Sequence, residues 1–102
     1  MYAVCYRFTV IDAADAEEFV ALWSGVTEYF KTHCGALGSR LHQTGDAEFF
    51  AYAQWPSQAV HDAASDHEVG QDFVKMRVRW SEIAHPTEVV FAGDVAANLF
   101  NS

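Results

Sequence analysis

The stretch Phe49-Phe50-Ala51-Tyr52-Ala53-Gln54-Trp55 constrains this chain more than any other, because it is apolar in both parities. Successive side chains of a strand point to opposite faces, so a strand wetted on one side alternates between apolar and polar residues. This one barely alternates. Val89-Val90-Phe91-Ala92 behaves the same way. A sheet containing both segments needs apolar cover on both faces. The first ten residues supply a third strand, with Tyr2, Val4, Tyr6, Phe8 and Val10 on one side and Ala3, Cys5, Arg7 and Thr9 on the other.

Helical cover is limited to two stripes. Phe19, Trp23, Val26 and Phe30 recur at i, i+4, i+7 and i+11, and Val69, Phe73, Met76, Trp80 and Ile83 repeat that spacing with one further step. Asp15 and Glu18 stand at capping-box spacing, with Asp12 a competing cap three residues earlier. Glu17 and Glu18 suit the positive end of the first helix, and Gly35 is expected to stop it after Lys31 and His33. Extended segments are expected over 37–43 and 48–55, with Gly45 of Thr44-Gly45-Asp46 supplying a positive φ between them. Pro56 ends the second segment, and Ser57 caps a short helix over 57–64. A second capping box, Ser65-Asp66-His67-Glu68, predicts a break and restart. Pro86 closes the second stripe. A last strand covers 87–91, and Gly93 is expected to bend it into an apolar tail over 95–100.

The order β-α-β-β-α-β is the split βαβ of a ferredoxin-like α+β fold, one domain over 1–102, with a four-stranded antiparallel sheet and both helices on one face. No helix remains for the other face. The expectation is a two-fold homodimer packing sheet against sheet, with Leu99 and Phe100 of the tail reaching the partner. The alternative is a monomer exposing a large apolar patch, which soluble proteins seldom carry.

Charge narrows the partners. Fourteen acidic against six basic residues give a net of −8, which repels nucleic acid and anionic membrane. No uncharged stretch reaches the roughly 18 residues of a membrane span, and the first residues do not read as a signal peptide. Two cysteines, Cys5 and Cys34, fit a reduced cytoplasmic chain. No histidine pair among 33, 42, 61, 67 and 85 has helical metal-ligand spacing, neither cysteine has a nucleophile motif, and no Gly-rich phosphate loop exists.

The residues left for chemistry are aromatic, with one histidine and one arginine. Tyr6, Trp23, Phe30, Trp55 and Trp80 have predicted faces that converge between sheet and helices, where they either line a site for a flat ligand or simply fill the core. The indole N–H of Trp55 needs a partner in either case. His61, one turn into the short helix, is a candidate base; a surface histidine is the competing reading. Arg77 flanks the apolar stripe, placed either to hold an oxyanion or carboxylate or to cover apolar surface and pair with an acid. Asp72, Lys75, Arg79 and Glu82 read as a solvated charge stripe.

Ala36-Leu37-Gly38-Ser39-Arg40-Leu41-His42 after a Gly-ended helix resembles the second strand of the antibiotic biosynthesis monooxygenase family. Tyr52-Ala53-Gln54-Trp55-Pro56-Ser57 is similar to that family's Trp-x-Ser signature, and Phe19 with Trp23 to its helical Phe and Trp pair. The resemblance covers essentially the whole chain. It implies a dimeric α/β barrel with a pocket between helices and sheet, in which catalytic members oxidise phenols or quinols with O2 and no cofactor. The haem-degrading branch has an Asn, a Trp and a His where this chain has Tyr6, Ala63 or Ala64, and Phe73 or Val74. Haem degradation is therefore not implied. Of the quinone-forming branch's residues Trp55 matches, while Ala51 stands for an Asn and Val60 or His61 for a Tyr.

The expected function is a cytoplasmic monooxygenase-like activity on an aromatic phenol or quinol, without metal or flavin. Trp55, His61 and Tyr6 are its catalytic candidates, and Arg77, Trp23, Phe30 and Trp80 its substrate-binding ones. The alternatives are a non-catalytic dimeric module that binds a small apolar ligand, a structural relative with a filled pocket, and isomerase or lyase chemistry on the same fold.

Overall fold

The computed structural model describes residues 1–66 and 69–100. Four strands form one antiparallel sheet in the order β2-β3-β1-β4, from β1 (Tyr2–Thr9), β2 (Gly38–Gln43), β3 (Glu48–Trp55) and β4 (Glu88–Asp94). The helices are α1 (Ala16–His33), the short α2 (Gln58–Ala63) and α3 (Gln71–Ile83). This is the α+β ferredoxin-like arrangement, with the second helical region divided in two. Among the described residues, no helix is long and apolar enough to cross a membrane.

The period-two pattern of β1 puts Tyr2, Val4, Tyr6 and Phe8 toward the helices, facing Trp55, Ala53, Ala51 and Phe49 across the β1–β3 ladder. The core divides into two clusters. Phe8, Phe19, Phe49 and Trp80 pack at one end, with Phe19 and Trp80 rings 4.9 Å apart and tilted 68°, an edge-on contact. Tyr2, Val4 and Trp55 pack at the other. Tyr6 and Phe30 rest against both.

Several local expectations give way. Asp12, not Asp15, makes the cap bond: its carboxylate accepts from Ala14 N–H at 2.9 Å and starts a 3-10 turn (Ala13–Asp15), while Asp15 caps nothing with its side chain. The earlier acid wins because it keeps extended backbone, which a cap requires. Gly45 does not take a positive φ; the left-handed glycines are Gly35 and Gly38. Gly35, at φ 79°, does end α1. Ser57 caps α2 through Val60 N–H at 3.2 Å. Of the second capping box, His67 and Glu68 lie outside the described residues, and α3 starts at Gln71 behind Gly70 without a side-chain cap. Gly93 does not bend β4, which continues to Asp94 because Gly93 still pairs with Ala3.

Arg79 does not belong to a free charge stripe. It grips Glu18 of α1 with two bonds of 2.6 and 2.8 Å. That guanidinium holds the Glu18 carboxyl below its ordinary range, burial opposing only in part. On the helix-free face, Arg7 ties three strands by reaching Glu48 on β3 at 2.6 Å and Glu88 on β4 at 3.6 Å. This face therefore has a charged end, beside an apolar part made by Cys5, Phe50, Tyr52 and Phe91.

Candidate active site

Between the two core clusters lies a cavity of about 730 Å³, the size of a small-molecule site. Period-two strands and 3.6-period helices aim the same residues at it. Tyr6, Trp23, Phe30, Trp55, His61, Arg77 and Trp80 all line its wall. The chain path brings them from β1, α1, β3, α2 and α3. A bulge between β1 and β4 sets Val89 rather than Val90 opposite Tyr6, which places Val89 on the same wall.

The two ends of the cavity differ. Arg77 projects from α3 and stacks its guanidinium 4.9 Å from the Trp80 ring centroid. No carboxylate pairs with it among the described residues. Arg77 is accessible to water, yet surrounding protein still lowers its pKa by desolvation. Both are true of a cation that faces an open cavity. Burial also raises the Tyr6 phenol, with Tyr2 adding to the shift and Arg77 opposing it. Tyr6 is thus a neutral hydroxyl donor near pH 7.

At the other end Trp55 is buried, with His61 edge-on to its ring at 5.3 Å and 88°. His61 also lies 5.3 Å from the Tyr2 ring. Its Nδ1 meets the Asp62 carboxylate at 2.9 Å, a partner the sequence reading did not single out. With Nδ1 donating to Asp62, the neutral ring carries its lone pair on Nε2. Ser39, known before only as part of a motif, also lines the cavity. The Cys34 thiol is pushed up by burial, which makes it a poor nucleophile.

Geometry and fold together define a class: a ferredoxin-like domain enclosing an aromatic-walled site for a small molecule, with proton-exchanging groups at one end and a cation at the other. The family is more specific. A family model described as antibiotic biosynthesis monooxygenase matches residues 1–76, and the chain belongs to that family. Arg77 and Trp80 fall just past the matched stretch. No curated protein matches the sequence.

Solved structures agree on the fold. SnoaB, a cofactor-independent oxygenase from Streptomyces nogalater, superimposes with a TM-score of 0.75 at 17% identity, over 96% of this chain and 95% of that one. HapK from Hahella chejuensis gives 0.72 at 17% identity over 100% and 99% of the two chains. A protein of unknown function from Nitrosomonas europaea gives 0.72 at 11%, over 99% and 94%.

Proposed function

We propose that this protein is a cofactor-independent monooxygenase that oxidises a small aromatic phenol or quinol with O2. The observation that carries the reading is that one cavity gathers a histidine, an indole N–H, a neutral phenol and an arginine that has no carboxylate partner among the described residues. The family and the titled activity of SnoaB support it. In the balanced reaction a substrate CH2 beside a phenol becomes a carbonyl, one oxygen atom enters the product and the other leaves as water. The carbon loses four electrons and O2 takes them.

Each group has a part. His61 Nε2 removes the proton that leaves an electron-rich carbanion or phenolate, and this anion reduces O2 directly. Arg77 holds negative charge at the far end, and Tyr6 and Trp55 donate to oxygens that gain charge as electrons move. Trp23, Phe30 and Trp80 supply flat apolar walls that exclude water. The reaction needs no metal or flavin in this reading, because the substrate is itself the reductant.

The working unit we propose is a homodimer in the cytoplasm, where Cys5 and Cys34, both unbridged, stay reduced. β4 is exposed along its whole length, with Val89, Val90 and Phe91 each about half exposed. A second copy laid on the helix-free face removes Phe91, together with Cys5, Phe50 and Tyr52, from water.

Oxygen uptake against a panel of naphthoquinols and anthrones tests the activity. Turnover with at least one member is expected, and His61→Ala should lower it about a hundredfold by removing the base. Tight binding across the panel with no O2 consumed would instead identify a ligand-binding relative and defeat the oxygenase reading.

A further inference from the structure

Two buried polar atoms have no hydrogen-bond partner within the described structure: the Ser39 hydroxyl oxygen and Trp55 Nε1. Natural interiors satisfy nearly all such groups, because an unmade bond in a dry site costs free energy that a made one returns. Two exceptions on one wall of one cavity call for a common cause, and both residues line the 730 Å³ space described above.

Their placement is set by strand pairing. Ser39 of β2 lies opposite Ala53 of β3, and Trp55 is two residues further along β3 on the same face. Such diagonal neighbours lie about 7–8 Å apart, with their Cβ atoms somewhat closer, within reach of an aromatic side chain that shares a ligand with its neighbour. The indole N–H can only donate, and the serine hydroxyl can donate by rotating about its side-chain bond. A pair of donors fits an acceptor. Ala36, Ala51, Ala53 and Ala64 line the wall beside them, and His61 and Asp62, bonded to each other, are polar neighbours at this end.

We propose that Ser39 and Trp55 form a two-donor cradle for one carbonyl or phenolic oxygen of the ligand. This rests on the cavity being the ligand site and deepens that reading, since it fixes where the oxygen-bearing ring edge lies. Ser39 is a binding residue, and Ala51, two positions before Ala53 on the same face, leaves it room. The Arg77 end then takes a second, more acidic function of the same flat ligand. The substrate class is an aromatic molecule with oxygen functions at both ends.

The test uses 1-naphthol and naphthalene as probes, which differ by one hydroxyl, measured by equilibrium dialysis on the full chain. The wild-type protein should bind 1-naphthol several-fold tighter than naphthalene. Ser39→Ala should weaken 1-naphthol by about three- to tenfold and leave naphthalene unchanged, the loss of one hydrogen bond. Trp55→Phe should weaken the same probe selectively. The unliganded Ser39→Ala protein should melt no lower than wild type, since the deleted hydroxyl had no partner to lose. A Ser39→Ala protein that keeps its naphthol preference overturns the cradle. So does an unliganded variant with a lower Tm, which would mean that protein or a trapped water already satisfied the hydroxyl. Absence of any naphthol preference in the wild type overturns it as well. Lack of O2 uptake with the preference intact defeats only the oxygenase reading, so the two failures are distinct.

Discussion

Adjacent residues of a helix point about 100° apart, so His61 and Asp62 touch only because both side chains turn toward each other. The 2.9 Å contact therefore has a specific consequence: it makes Nδ1 the donor to the carboxylate, so that the neutral ring carries its lone pair on Nε2. Asp62→Asn offers either an amide N–H or a carbonyl to the ring and no longer enforces one tautomer. Oxygen uptake should fall about tenfold with KM little changed, a modest effect because the carboxylate is largely exposed. Nitrogen-15 chemical shifts of the His61 ring should show the Nδ1–H form in wild type and a mixture in the variant. A single unchanged tautomer would remove Asp62 from the site. Neither this pair nor the Ser39–Trp55 pair was legible beforehand. A sequence shows which residues fall on a strand face, but the β2–β3 register that sets Ser39 against Ala53, and the rotamers that join His61 to Asp62, are decided by packing.

Elements were easier to read, because hydrophobic period reports burial directly. The stripe Phe19, Trp23, Val26, Phe30 and the alternation of β1 gave helix and strand in the right places, and the paired apolar parities of β3 matched its central position in the sheet. Competition between similar local signals was harder to resolve. Asp12 and Asp15 are equally good caps on paper, and only the backbone conformation separates them. Gly35 was legible and is structurally demanding: at φ 79° a side chain is strained, and a Cβ there would lie 3.3 Å from Val60 Cγ1. Gly35→Ala should cost about 1–2 kcal/mol in a urea melt, from the left-handed backbone alone. The Glu18–Arg79 clasp between α1 and α3 makes a pH prediction. Because the folded-state pKa of Glu18 is depressed, its contribution is present above the ordinary carboxylate pKa and is lost as pH falls through the folded value. Glu18→Gln should therefore lower stability modestly at neutral pH and converge with wild type in acid, which flattens the acid limb of a stability-versus-pH curve. An unaltered acid limb would show the clasp to be energetically idle.

For the molecule as a whole, the decisive feature is a sheet with helices on one side only. β4 lies beyond the cover of α3, so even Val89, on the helix side, is 57% exposed, and Phe91 on the other side is 53% exposed. Leu99 and Phe100 follow, 97% and 74% exposed. The Arg7–Glu48–Glu88 cluster marks the polar end of the helix-free face and limits the apolar contact to the part around Cys5, Phe50, Tyr52 and Phe91. A second copy related by a two-fold axis would set this part against its own image, apolar on apolar and with the charged ends outward. α3 also exposes apolar residues, with Val78 at 54%, so exposure alone does not pick the interface. Continuity does: Phe91 touches the Tyr52 ring across the sheet at 6.4 Å and belongs to an extended surface. Sedimentation at micromolar concentration should give twice the chain mass for wild type and for Val78→Asp. Phe91→Asp should give the single-chain mass, since an unpaired carboxylate in the centre of an apolar contact is strongly unfavourable. Oxygen uptake by that variant then decides whether the cavity works in one copy. Val89 lines the cavity from the helix side of β4, whereas the partner would cover the opposite side, so a single copy keeps this wall and its turnover should stay close to that of the dimer.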